Sequence, residues 1–211
     1  MRQMTNWSCG IAALASALCH VGARVSERQL ASIFRRLGLP PRSWGVTAPA
    51  IGVVSAYLGY TNRIFVPYWF FRNNWIQVRN RQPSSALFEK ALRRLSKKSD
   101  LRPFYRSLIA AIKLGCSVKL PNDKRFPGVR HICEELRRGH PVVVLIRGSD
   151  FYGVEENWYH YLALLPKGTH VEIHDPYRER GFGDYENWKS HLDTARAYNW
   201  NTWNGAFIAI D

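Results

Sequence analysis

Gly139-His140-Pro141-Val142-Val143-Val144-Leu145-Ile146 is the stretch at which this chain changes character. The glycine closes what precedes it, and the apolar run that follows has the length of a strand buried on both faces. Downstream the pattern stays extended. Residues 159–165 and 170–174 read as strands joined by the turn Pro166-Lys167-Gly168-Thr169, residues 206–210 read as a last strand, and a helix is expected near 185–195. Upstream the pattern is helical. Residues 9–21 form an Ala- and Leu-rich helix that stops at Gly22. Ser26-Glu27-Arg28-Gln29 is a capping box opening a helix with Leu30, Ile33, Phe34 and Leu37 on one face. Thr47-Ala48-Pro49 opens a third helix, which ends at Leu58-Gly59, and Ile64-Phe65-Val66 reads as a short strand. Residues 67–83 are irregular and aromatic. Basic amphipathic helices are expected near 85–98 and 101–114, and another over 128–138. Helices lead and strands follow, which predicts an α+β architecture with an N-terminal helical half packed on a C-terminal antiparallel sheet.

A length of 211 residues predicts one domain, 1–211. The chain is 46% apolar and 22% charged, which excludes a disordered chain. No apolar run approaches the ~18 residues of a membrane span. The N-terminus carries only Arg2 before its polar residues, so no signal peptide is expected. The net charge of +14 is uneven: residues 61–140 hold eighteen Lys and Arg against five Asp and Glu. Such a block suits nucleic acid, an anionic membrane or an acidic protein, and equally a solvated helical face. The segment Tyr68-Trp69-Phe70-Phe71-Arg72-Asn73-Asn74-Trp75 reads as packing the basic stretch onto the body rather than as a base-stacking surface.

Cys9, Cys19, Cys116 and Cys133 form no Cys-x-x-Cys pair and are too sparse for a disulfide scaffold. No metal or cofactor is expected. Cys9 opens the first helix, where backbone N–H groups and the helix dipole favour a thiolate. Gly10 beside it gives room for a substrate backbone. Gln3 is placed to donate to an oxyanion together with the Cys9 N–H. A nucleophilic thiol needs a base and an orienter. His160 stands early in its strand, and Asp175 ends the next one. A hairpin between these strands sets them side by side, so that the carboxylate holds one ring nitrogen and the other is aimed at Cys9. Cys19, Cys116 and Cys133 read as structural thiols. His174 is expected on the opposite sheet face from Asp175, and His131 and His140 at the surface or capping a helix.

Gln3 with Cys9-Gly10-x-Ala12-x-Leu14, the stretch Gly45-Val46-Thr47…Ala56-Tyr57-Leu58-Gly59, Leu136-x-x-Gly139-x-Pro141-Val142-Val143-Val144, His160 and Asp175-Pro176 occur in an order that resembles the bacteriocin-processing, double-glycine cysteine peptidases. The resemblance spreads over roughly two thirds of the chain. It implies a papain-like fold with Cys9 as nucleophile, His160 as base, Asp175 as orienter and Gln3 in the oxyanion hole. It also implies cleavage after Gly-Gly, in a cleft that aromatic residues narrow until only glycines fit; Trp7, Trp158 and Tyr159 are candidate walls. Ser8 stands where that family usually has Asp. The gap from Cys9 to His160 is longer than in transporter-linked members, the excess being residues 67–127, a basic, mainly helical insertion. No attached transporter segment is expected.

The expected function is therefore that of a bacterial cysteine endopeptidase acting on a Gly-Gly protein or peptide substrate. The expected setting is the toxin domain of a longer interbacterial effector, acting in the cytoplasm of a target cell and met there by an acidic neutralising (immunity) protein. Sites of this shape also run transglutamination, deamidation and acyl transfer, which is the alternative. A basic nucleic-acid-binding module with a degenerate site ranks third, since no nucleic-acid motif is present.

Overall fold

The computed structural model describes residues 8–39, 45–66, 84–97, 99, 101–119, 129–147, 159–177, 182–183 and 206–211. Six helices and seven strands lie within them. In chain order they are α1 (Cys9–His20), α2 (Glu27–Arg36), α3 (Ala48–Tyr57), β1 (Asn62–Phe65), α4 (Ser85–Arg94), α5 (Leu101–Lys113), β2 (Ser117–Lys119), α6 (Val129–Arg137), β3 (Val142–Arg147), β4 (Tyr159–Lys167), β5 (His170–His174), β6 (Phe182–Gly183) and β7 (Phe207–Ile210). The aromatic stretch 68–75 and the helix expected near 185–195 lie outside the described residues. No described helix is long and apolar enough to cross a membrane.

Local chemistry sets the helix ends. Ser26 accepts from the Gln29 N–H while the Gln29 side chain accepts from the Ser26 N–H, closing the expected capping box. Thr47 caps α3 through the Ala50 N–H, with Pro49 in the first turn. α4 ends at Arg94, short of the expected 98. The chain turns extended at Leu95, and the Arg102 guanidinium takes the Leu95 and Leu92 carbonyls at 2.8 and 3.3 Å.

The strands form one sheet in the order β2-β1-β7-β3-β4-β5-β6. Every pair is antiparallel except β1 with β2, which runs parallel. The C-terminal strands β3 to β7 are antiparallel as expected, and the helical half of the chain adds β1 and β2 at one edge. The pleat divides the core. Val143, Leu145, Tyr161, Ala163, Leu165, Ile208 and Ile210 join a large cluster with α1 to α5. Val142, Val144, Ile146, Leu162, Leu164, Phe207 and Ala209 face α6 through Val129, Ile132 and Leu136. Covering both faces is what makes β3 and β7 read as unbroken apolar runs. α1 is buried on all sides from Cys9 to Leu18, its alanines allowing close approach, and it lies against β4.

Candidate active site

Cys9 is the first residue of α1 and is 8% exposed. The Ser8 carbonyl starts the helix, accepting from the Ile11 and Ala12 N–H groups, whereas its side chain makes no capping bond. The helix mouth thus brings the positive end of its dipole to the sulfur, with no acidic residue in the first turn to offset it.

His160 is the second residue of β4, paired across the sheet with Ile146, and is 2% exposed. Asp175 follows β5 directly. The hairpin turns at Gly168, whose φ of 60° a residue with a side chain rarely adopts. Its register, Ala163 opposite His174, brings the far ends of the two strands together. His160 Nε2 donates to Asp175 Oδ1 at 2.8 Å, and the same oxygen accepts the Tyr177 N–H at 2.8 Å. The Asp175-Pro176-Tyr177 turn therefore locks the carboxylate that holds the ring. The Tyr177 ring stands edge-on to the imidazole, centroids 6.2 Å apart.

With Nε2 committed to Asp175, Nδ1 is the nitrogen left for Cys9, and the thiol hydrogen-bonds the imidazole from that side. Burial pulls the His160 pKa down. The bonds to Asp175 and Cys9 and the charges of both groups outweigh it and raise the value to about 9. Tyr161, the next residue, is fully buried, and burial together with the negative charge of Cys9 pushes its hydroxyl well above the usual phenol value. That hydroxyl donates to the Val46 carbonyl at 3.1 Å.

The structure brings Cys9, His160 and Asp175 together. Gln3, Trp7 and Trp158 lie outside the described residues. Tyr159 opens β4 and is 37% exposed. Gly10 has a packing role as well. The space beside it is filled from within, because a Cβ there would stand 2.6 Å from Val46 Cγ2 and 2.9 Å from Tyr161 Cδ2. Sequence reasoning missed Tyr161 and Tyr177. The available signal was a buried strand containing a phenol, which must find a hydrogen-bond partner.

The other candidates sort by their surroundings. Cys116 is buried, Cys133 half-buried and Cys19 exposed, all with free thiols. His174 bonds to Glu172 at 2.7 Å. His140 is not at the surface alone. It lies in a charged knot in which buried Glu135 accepts from Arg63 and Arg138, and Arg63 also pairs with Asp211. Glu135, His140 and Asp211 bring donor atoms within 4.8 Å of one another, the spacing of a metal site. The Arg63 guanidinium already supplies the cation among them.

Neither a protein-family model nor a curated protein matches this sequence. Solved structures do. A putative C39-like peptidase from Bacillus anthracis superposes over 100% of this chain and 92% of its own, with a TM-score of 0.51 at 13% identity. The fold is that of a C39-like peptidase. A second similar structure, the peptidase domain of Streptococcus ComA, a bifunctional ABC transporter involved in a quorum-sensing pathway, covers 100% of this chain and 95% of its own, with a TM-score of 0.47 at 15% identity. The expected papain-like α+β architecture is the one observed. In this C39-like frame the central helix α1 presents Cys9, and the sheet behind it presents His160 and Asp175.

Proposed function

We propose that the chain is a cysteine peptidase in which Cys9 attacks, His160 moves protons and Asp175 holds the imidazole. One observation carries the reading: a buried imidazole lies between a carboxylate on Nε2 and a thiol at a helix mouth, and its pKa is raised to about 9. Such a ring keeps its proton near neutrality, which is the condition for a thiolate–imidazolium pair.

The Cys9 thiolate bonds to the carbonyl carbon of the peptide. The carbonyl oxygen takes the negative charge, faced by the Cys9 backbone N–H and, from its sequence position, by the Gln3 amide. Collapse breaks the C–N bond as His160 passes its proton to the leaving amine. His160 then takes a proton from water, the hydroxide attacks the thioester, and the acid product leaves Cys9 as thiolate beside a charged ring. Cleavage after Gly-Gly follows from the sequence resemblance, with Trp7, Trp158 and Tyr159 as walls of a narrow cleft. The charge of +14 fits an acidic neutralising partner and an effector setting in a bacterial cytoplasm.

The test incubates purified protein with a fluorogenic peptide carrying Gly-Gly before the scissile bond, and with its Ala-Ala counterpart. We expect cleavage of the first alone, abolished in Cys9→Ala and in His160→Ala with the circular dichroism spectrum unchanged. Full activity in either variant would overturn the assignment. Ammonia release from a Gln-containing protein without chain cleavage would move it to deamidation.

A further inference from the structure

We infer that Tyr161 is a positioning residue, the spacer that sets how far the thiol-bearing mouth of α1 stands from the imidazole-bearing strand β4; the inference rests on the peptidase reading above.

Three parts of the site meet on this one side chain. Tyr161 follows His160 in β4, so the strand that places the base also places the phenol ring. The ring lies against Gly10, the residue after Cys9: Cδ2 and Cε2 come within 2.9 and 3.2 Å of where a Gly10 side chain would start. Its hydroxyl holds the Val46 carbonyl, and Val46 immediately precedes Thr47, the cap of α3. The Val46 methyl closes the remaining side of Gly10 at 2.6 Å. The negative charge of Cys9 raises the phenol's pKa further, in the same direction as burial. Burial and that charge both keep the hydroxyl protonated, so it donates to Val46 throughout the neutral range.

A core tyrosine of ordinary kind would fill volume, and its loss would lower stability alone. Tyr161 belongs to the strand that carries the imidazole, and its ring lies against the helix that carries the sulfur. A rigid ring of fixed thickness, anchored at its far end, holds that gap to one value. The absence of a side chain at Gly10 is what lets the ring sit there. Loss of the ring lets α1 settle towards β4, and loss of the hydroxyl frees the segment that the ring leans on.

The test reads the geometry separately from catalysis. Wild-type protein, Tyr161→Phe and Tyr161→Leu are treated with iodoacetamide from mildly acidic to alkaline pH, and alkylation is followed on the Cys9-containing peptide by mass spectrometry. For the wild type we expect rapid alkylation of Cys9 at neutral pH. For Tyr161→Leu the alkylation of Cys9 at neutral pH slows relative to the wild type. Its kcat falls by roughly 10- to 100-fold with KM little changed, the cost of a displacement near 1 Å. Tyr161→Phe shifts both in the same direction and by less. Phe207→Leu is the control: it sits in the smaller cluster, stacked on Phe65 at 4.2 Å, and is expected to lower the melting temperature without moving the alkylation profile. Wild-type profiles and wild-type kcat in both Tyr161 variants overturn the inference, as does an equal shift in Phe207→Leu. Should Tyr161→Leu fail to fold, Tyr161→Phe decides alone. A wild-type protein that alkylates as expected but cleaves no peptide defeats the peptidase reading, while the profiles of the Tyr161 variants still judge the spacer.

Discussion

Gly10→Ala sets two opposed effects against each other at the mouth of α1. Alanine in a helix is favoured over glycine by about 0.5–1 kcal/mol. Against this, the new methyl would stand 2.6 Å from Val46 Cγ2 and 2.9 Å from Tyr161 Cδ2. Carbon atoms rest at about 3.5–4.0 Å, so each contact is short by roughly 1 Å. Neither neighbour can step aside cheaply. Both are buried, and the hydroxyl of one is bonded to the carbonyl of the other. Overpacking of this kind costs about 1–3 kcal/mol. The net expectation is a loss of ~1–2 kcal/mol, seen as a fall of roughly 2–8 °C in melting temperature for a chain of this size. The cheapest relief tilts the helix mouth away from β4, and that motion carries Cys9 away from His160, so activity falls further than stability does. Val46→Ala removes the closer obstacle. The double variant should recover ~0.5–3 kcal/mol relative to the sum of the single changes in urea denaturation, with part of the cleavage rate. A Gly10→Ala protein that melts higher than the wild type and cleaves at the same rate would falsify the close packing of Gly10 against Tyr161 and Val46.

Three further outcomes follow from the geometry. Asp175→Asn keeps the shape of the side chain but loses the charge that steadies the imidazolium; kcat should fall by about 10²–10⁴, with the His160 titration moving down in proton NMR. The His160 value is raised in the folded chain, from 6.5 to about 9, so its charged ring stabilises the fold fully below about 6.5 and that contribution is lost as pH rises through about 9. The loss amounts to about 3 kcal/mol, measured by urea denaturation at the two ends of that window, and Cys9→Ala, which lacks the sulfur's share, should lose less. Glu135→Ala strips the buried acceptor from Arg63, Arg138 and His140 and should cost about 3–5 kcal/mol in chemical denaturation, whereas Arg138→Ala, an exposed partner, should cost under ~1 kcal/mol.

What was legible in the sequence was local. The Ser26 capping box, the Thr47 cap with its proline and the stop at Gly22 are written in adjacent residues, and each helix begins or ends where they place it. The meeting of His160 and Asp175 was legible too, because a hairpin fixes its own register. The rest depends on partners far away in the chain. β2 has three residues, too few for alternation to show, and its parallel partner β1 lies more than fifty residues earlier. The apolar face of α6 is plain, but nothing in it tells which side of the sheet it covers. His140 takes its meaning from Arg63 and Asp211, each far from it in the chain and on opposite sides of it. The ring beside Gly10 was not legible, because a missing side chain looks the same from the sequence whatever lies against it.

The basic stretch between Cys9 and His160 bears on the site more than its charge suggests. Its described helices are built into the main core: Phe88 of α4 and Phe104, Tyr105 and Leu108 of α5 share one cluster with Leu14 and Leu18 of α1. α5 packs along α3, and their contact includes a buried polar link, in which the Thr47 hydroxyl meets the Ser107 hydroxyl at 3.3 Å while Ser107 donates to the Pro103 carbonyl at 2.8 Å. Thr47 is the cap that starts α3, and Val46 beside it carries the carbonyl that Tyr161 holds. A continuous path therefore runs from α5 through Thr47 and Val46 to the ring packed against Gly10. A helix that only displayed charge would need one buried face and no polar contact inside it. This one has such a contact, at the residue next to the carbonyl that Tyr161 holds, so α5 is part of the packing that leads to the site as well as a basic helix.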